Sequence, residues 1–492
     1  MRKIIFLENK NSYIRTFVLI AILELLTVFL IGYLSVDQPP IVYISIISAI
    51  VFVTITVLFL RNINIAIPVL IILLPIQYLI LEILTSKYNL AVVTPFDIFT
   101  VSAIICLFIY KSTAKDRTII LKEKTGPGYL SLLLFALVAF GILSVMWSPN
   151  IIHGLSFCIR LILNYLIYLL LVVLLKNQGD VLRAIKTLIF TTVMTAATMI
   201  VSILPIDLLN IKKTYFLTKY LSLRFFFETY QLRASSIMET HMAVTFLTFG
   251  VLFSMGLLSQ SKGKKEKILL SLIIIFLILS ALYTKARGPI ASMLVAILFL
   301  IFAMKNFRTY FFRNLYLFAI CFTFLFGIFI TTSSYLTAII KPYLPTAYYE
   351  GEHSFSDRLE YWETAYNALK NSDAYIQGLG AGGANYYLHL HTHNIYLSIF
   401  FDLGLIGLVL FFILISISMT KLFLTIRSLK EGFTKAMLLS TSGCILAIGL
   451  ASLVDYNYNF YLLWFIMGLG TAIYRYAASI PKESLSNTIS IN

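Results

Sequence analysis

The sequence predicts an all-α, polytopic integral membrane protein of 12–14 transmembrane helices, with one long external loop that contains an amphipathic helix. Three observations predict this. Of 492 residues, 60% are hydrophobic and only 12% are charged, whereas a soluble domain carries about a quarter charged residues. The mean hydropathy is +0.91. Apolar runs of the ~20 residues that a spanning helix needs recur along the whole chain. Such a composition excludes a soluble enzyme, a disordered chain and a disulfide-rich secreted domain. The net charge of +16 calls first for cytoplasmic Lys and Arg rather than a nucleic-acid partner.

Taken in order, fourteen runs begin near residues 16, 40, 63, 91, 128, 157, 186, 240, 268, 288, 315, 394, 435 and 459. Very short links at Arg61-Asn62 and at Lys285–Gly288 separate two of the pairs. Arg2, Lys3, Lys10 and Arg15 put the N-terminus in the cytoplasm, because Lys and Arg concentrate in cytoplasmic loops. Residues 1–15 are polar and basic, and the apolar run after them is long enough to remain as a span, so no cleavable signal is expected. Alternation then places the basic loops 111–126, 176–186, 259–267, 305–313 and 421–435 inside, together with the tail. The expected organisation is an N-terminal bundle of about 11 helices over 1–331, an external loop over 332–392, C-terminal spans over 393–474 and a cytoplasmic tail over 475–492. Both termini are expected to be cytoplasmic. The four cysteines, Cys106, Cys158, Cys321 and Cys444, each sit in an apolar run and read as buried small hydrophobes.

Two long segments are then external: 207–235, and 332–392, the longest polar stretch. Within the second, SFSDRLEYWETAYNALKN reads as a helix. Ser354 and Asp357 resemble a capping pair, and Leu359, Trp362, Tyr366 and Leu369 recur at helical spacing on one face. A loop of this length between spans is usually functional.

Three groups of residues in these segments bear chemistry. Gly378–Gly383 satisfies G-x-G-x-x-G, but a dinucleotide site needs a βαβ unit around it, so a turn that brings backbone close to a ligand or a surface is the better reading. His389, His391 and His393 alternate, and on an extended segment could share a metal, although no carboxylate accompanies them. His393 stands apart because it begins the next span. Arg160, Arg233 and Arg287 all fall at the external ends of spans, where a topology signal would not put them. One explanation is snorkelling, or pairing with Glu228, Glu239 or Asp402. The other is that three arginines on one face bind phosphate, which Arg grips in a planar, bidentate way.

The stretch from about 130 to 470 resembles the bacterial O-antigen ligase and polysaccharide polymerase family. His393-Asn394, then IYLSIFFDL, then Gly404-Leu-Ile-Gly407 reproduces the pattern H-N-x9-G-x-x-G, with Asp402 where many relatives carry Glu. Arg358, Trp362, Gly378 and Gly380 resemble the family's R-x-x-x-W…G-x-G loop. TKARGP resembles its S-R-G element, with Ala286 in place of Ser. LRASSIMETHMA resembles its R-x-x-G segment, with Ser235 or Ser236 in place of Gly.

The resemblance implies a donor, an undecaprenyl-pyrophosphate-linked glycan, bound on the outer face of the cytoplasmic membrane. It implies that Arg233 and Arg287, with Arg160 as a third, hold the pyrophosphate and that His393 is the general base on the acceptor hydroxyl. Arg358, Trp362, Asn394 and Asp402 would shape the substrate side. Direct displacement would invert the anomeric carbon without a metal or other cofactor. The acceptor would be a second lipid-linked glycan in a polymerase, which is the favoured expectation, or a lipid A core or protein in a ligase. A flippase and a chain-length regulator would be partners in the pathway, besides the bilayer itself; no nucleic acid is implied. From other classes, a polysaccharide flippase or transporter and a metal-dependent membrane hydrolase are the rivals.

Overall fold

A computed structural model describes residues 54, 56–60, 62–75, 95–113, 128–203, 240–284, 286–305, 308–309, 355–388, 392–453 and 460–479. The spans expected near 16 and 315, most of the one expected near 40, the segment 207–235 with Arg233, the first part of the external loop, His389, His391 and Cys321 lie outside these residues.

The described residues form an all-α polytopic membrane protein. Thirteen α-helices follow one another: α1 (Ala66–Leu73), α2 (Pro95–Thr113), α3 (Gly128–Leu143), α4 (Ile151–Leu174), α5 (Gln178–Ile203), α6 (Thr240–Gln260), α7 (Lys264–Tyr283), α8 (Arg287–Ala303), α9 (Phe355–Asn371), α10 (Gly383–Leu388), α11 (Ile395–Ser428), α12 (Phe433–Ala451) and α13 (Tyr461–Ser479). Among them, 7 are long and apolar enough to cross a membrane. The short link at 284–286 does divide two helices, α7 and α8. The run expected from 157 begins earlier, at Ile151, because Asn150 caps α4 by accepting from the His153 amide at 3.0 Å.

Apolar residues surround most of these helices, so burial rather than periodicity separates centre from periphery. α6 is buried nearly throughout and packs against α5, α7, α8 and α12. α7 keeps most of its surface exposed, with Leu269, Leu272 and Ile275 facing outward, as a lipid-facing helix would. Ser440 on α12 donates to the Leu252 carbonyl of α6 at 2.8 Å, an interhelical bond of the kind that helps hold membrane bundles together.

The two ends of the bundle differ in charge. At one end Arg475 donates to the Val172 carbonyl (3.2 Å), Tyr476 to Gln178 (3.2 Å), and Lys421 lies over the Tyr474 ring. The turns containing Lys176, Lys262–Lys267, Lys305 and Lys430–Lys435 are at this basic end. The opposite end holds Ser148–His153, the α7–α8 link, α9, α10 and the starts of α8 and α11.

α11 is two helices, not one. At Gly404, φ is +64° and ψ −163°. A continuous helix would close Leu405 N to Phe401 O and Ile406 N to Asp402 O. Both bonds are open, and residues 375–380 fill the gap. Leu405 donates to Tyr375 O (2.9 Å) and Ile406 to Ile376 O (3.2 Å). Leu379 donates to Phe401 O (2.7 Å) and Gly380 to Asp402 O (2.9 Å). These four groups each regain a partner outside the helix, as buried backbone requires. The segment 405–428 still spans about 36 Å at 1.5 Å per residue, enough to cross a bilayer alone.

Gly404 is therefore constrained by both its dihedral angle and its surroundings. A Cβ there would collide with the Ile376 carbonyl. Gly404→Ala is expected to destabilise the protein by at least about 2 kcal/mol, read as a lowered melting temperature in detergent. Gly432, with open space around it, serves as the control. Equal melting temperatures for Gly404→Ala and Gly432→Ala would contradict the account.

Candidate functional site

Asp402 organises the glycine-rich loop. It is 1% exposed, and its carboxylate accepts from the amides of Gly382 (3.1 Å) and Ala384 (2.7 Å). Gly378, Gly380 and Gly382 all have positive φ, so the motif is a tight fold of backbone against protein. Gly380 lies so close to the Ser144–Ser148 turn that an added Cβ would meet Ser148 N at 2.6 Å. Ser148 Oγ donates to Ala381 O at 3.0 Å, tying the loop to the start of α4. The βαβ setting of a dinucleotide site is absent among the described residues, which contain no strand.

α9 docks on this loop by a face slightly rotated from the expected one. Ala365 and Leu369 are fully buried and pack with Leu379, Ala384, Leu388 and Phe401. Leu359 and Tyr366 are nearly half exposed, because the small Ala365 is the side chain that lets α9 approach closely. The hydrogen bond its hydroxyl donates to Tyr366 pushes the Tyr375 phenol above its usual pKa.

His393 lies between two pinned residues. Before it, the Thr392 carbonyl accepts from Trp362 Nε1 of α9 at 2.7 Å. After it, Asn394 caps α11, accepting from the amides of Tyr396 and Leu397 at 3.0 Å and donating to Leu453 O at 2.9 Å. Ile395 N donates to Ser452 O at 3.0 Å, and Thr392 Oγ1 to Asn394 O at 3.1 Å. His393 itself has φ +50°, a left-handed conformation that costs a non-glycine residue about 1–2 kcal/mol. Its half-buried side chain stands where α9, α11 and the end of α12 meet. A residue held in a sparsely populated conformation by contacts on both sides invites a functional hypothesis.

The arginines divide. Arg287 opens α8 and is exposed at the same end of the bundle as His393, since α8 and α12 pack antiparallel and α12 ends beside Asn394. Arg160 lies deeper than expected, more than two turns into α4, and pairs with Asp97 of α2 at 3.7 Å. Asp97 is almost fully buried, while Arg160 keeps 27% of its side chain accessible. Arg233 lies outside the described residues, and Arg358 sits on α9. The sequence reading missed three residues. Asp97 opens an apolar helix as the only acid near it, which is a visible signal. Ser148 and the exposed His153, beside Gly382, flank the Ser-Pro-Asn turn that begins α4. Among the described residues, no group of three or more His, Cys, Asp or Glu is arranged to hold a metal ion.

Residues 270–412 match the family model described as O-Antigen ligase. Arg287, Arg358, Trp362, His393, Asn394 and Asp402 fall within the match; Arg160 and Arg233 precede it. A search of curated proteins finds no match. The match supports a membrane enzyme of glycan transfer, of the O-antigen ligase and polymerase type.

Asp402→Asn tests the loop's anchor. An amide offers one acceptor oxygen and turns its NH2 toward an N–H, so one buried group is left without a partner. The expected loss is about 1–3 kcal/mol, with faster proteolysis within 378–388. An unchanged melting temperature and cleavage pattern would contradict the anchoring role.

Proposed function

We propose that this membrane enzyme of the O-antigen ligase and polymerase type moves a glycan from an undecaprenyl-pyrophosphate carrier at the outer face of the cytoplasmic membrane, and that it polymerises repeat units of a surface polysaccharide. One observation carries the reading. Arg287 and a conformationally fixed His393 share one end of the bundle, opposite the Lys- and Arg-rich turns. Basic turns face the cytoplasm, so the site end and its substrates are external and α13 ends on the cytoplasmic side; Arg2, Lys3, Lys10 and Arg15 support a cytoplasmic N-terminus.

In this mechanism Arg287 and Arg233, with Arg160 as a third, neutralise the charge that develops on the leaving pyrophosphate. His393 takes the proton from the acceptor hydroxyl as its oxygen attacks the anomeric carbon. The bond from that carbon to the phosphate oxygen breaks, the lipid pyrophosphate leaves, and the configuration inverts. No step calls on a metal or cofactor. Arg358, Trp362 and Asn394 shape the acceptor side, and Asp402 acts through the loop it anchors. A flippase would deliver the donor and a chain-length regulator would end the polymer.

A ligase, with a lipid A core or protein as acceptor, is the second reading, favoured by the family description of the matched segment. Transport draws on the break in α11, since interrupted helices mark many transporter sites. Here the chain's own loop fills that break, which weighs against it.

The test is a reconstituted assay with a purified lipid-pyrophosphate glycan in EDTA. Wild type is expected to give a product ladder, and a single transfer to a core acceptor would indicate the ligase. His393→Ala is expected to lose about 10²–10⁴-fold in rate, and Arg287→Ala about 10²-fold or more. Full activity in both variants would overturn the assignment.

A further inference from the structure

We infer that Trp362 is a positioning residue for His393, and that α9 thereby reports its own docking to the proposed base. The inference rests on the reading of His393 as the acceptor-activating base. It goes further by giving Trp362, beside its place on the acceptor side, a second role through backbone geometry.

The two peptide groups flanking His393 are held by different parts of the protein. The C-terminal side belongs to the bundle: Asn394 is bonded to Leu453, and Ile395 to Ser452, both at the end of α12. The N-terminal side is tied locally by Thr392 Oγ1 on the Asn394 carbonyl at 3.1 Å and, from outside the bundle, by the Trp362 indole N–H on the Thr392 carbonyl at 2.7 Å. A left-handed φ of +50° at His393 demands that both flanking peptides keep their orientation, because a histidine backbone left to itself moves to the β or right-handed region. Trp362 is half-buried on α9, one turn from the fully buried Ala365. Its indole therefore takes its place from the same face that docks α9 on the glycine-rich loop. When α9 is seated, the Thr392 carbonyl is fixed and the imidazole has one direction. When α9 lifts, the carbonyl is released and the imidazole swings with the peptide. An indole N–H is donor only, which suits a bond that must orient a carbonyl and nothing else. An acceptor glycan that contacts α9 would thus assemble the base as it binds.

The test replaces Trp362 with phenylalanine, which keeps an aromatic ring and removes the N–H. Its companion is Trp362→benzothienylalanine, introduced by stop-codon suppression, which keeps the bicyclic shape with sulfur in place of N–H and so serves even if the phenylalanine variant folds poorly. Both are assayed in the full-length reconstituted protein with the lipid-pyrophosphate glycan. Displacement of a base by about 1 Å costs up to about a hundredfold. The expected result is therefore a ten- to hundredfold lower kcat, with donor KM and melting temperature unchanged for the benzothienyl variant. In a His393→Ala background the same replacement is expected to have no further effect, since residues acting through one another are not additive. Wild-type kcat in the benzothienyl variant would overturn the inference. So would a loss confined to donor KM, or an equal further loss in the His393→Ala background. Full activity of His393→Ala alone would instead overturn the underlying assignment of the base, so the two failures are distinguishable.

Discussion

The break in α11 sets the constraint on which the site end of the molecule is built. Opening a helix at one buried residue breaks the hydrogen bonds that span it, and each buried amide or carbonyl left unpaired would cost about 1–3 kcal/mol. The chain answers with residues 375–380, which partner the Leu405 and Ile406 amides and the Phe401 and Asp402 carbonyls. That solution requires glycine at 378 and 404, where the two backbones run too close for a Cβ. It also requires an acceptor for the loop's remaining amides, which Asp402 supplies from within the helix that was broken.

Inserting the loop places the other parts. It gives α9 a surface to dock on through Ala365 and Leu369. Docking of α9 brings the Trp362 indole over Thr392. The separated first segment of α11 keeps its own N-terminus, capped by Asn394 and tied to the end of α12. His393 thus sits where an inserted loop, a docked amphipathic helix and the transmembrane bundle converge, and its left-handed backbone is the local cost of satisfying all three.

Much of this was legible in the sequence because it depends on local pattern. Apolar runs gave the helices, the glycines of 378–383 marked a tight turn, and α9 was expected almost to its observed ends. The H-N-x9-G-x-x-G pattern falls on the cap of α11 at Asn394 and on its break at Gly404. The break itself was not legible, since IYLSIFFDLGLIGLVLFF reads as one uninterrupted apolar run and its new partners lie more than twenty residues upstream. The anchoring role of Asp402 was not legible, because a sequence shows a carboxylate without showing which amides surround it. The Asp97–Arg160 pair joins residues 63 positions apart, a distance over which no periodicity carries information. The face of α9 was displaced because hydrophobicity favoured Leu359 and Tyr366, while close packing favoured the small Ala365.

The central claim is that the end of the bundle bearing Arg287 and His393 is where the lipid-linked pyrophosphate and the acceptor meet. The most direct measurement is the position of the two phosphorus atoms in an electron cryomicroscopy structure of the full chain with a non-transferable lipid-pyrophosphate glycan. The account predicts density for the pyrophosphate at the start of α8, in reach of the Arg287 guanidinium, with the glycan extending toward His393 and α9. Pyrophosphate density at the opposite end, among Lys421, Lys430 and Arg475, would contradict it.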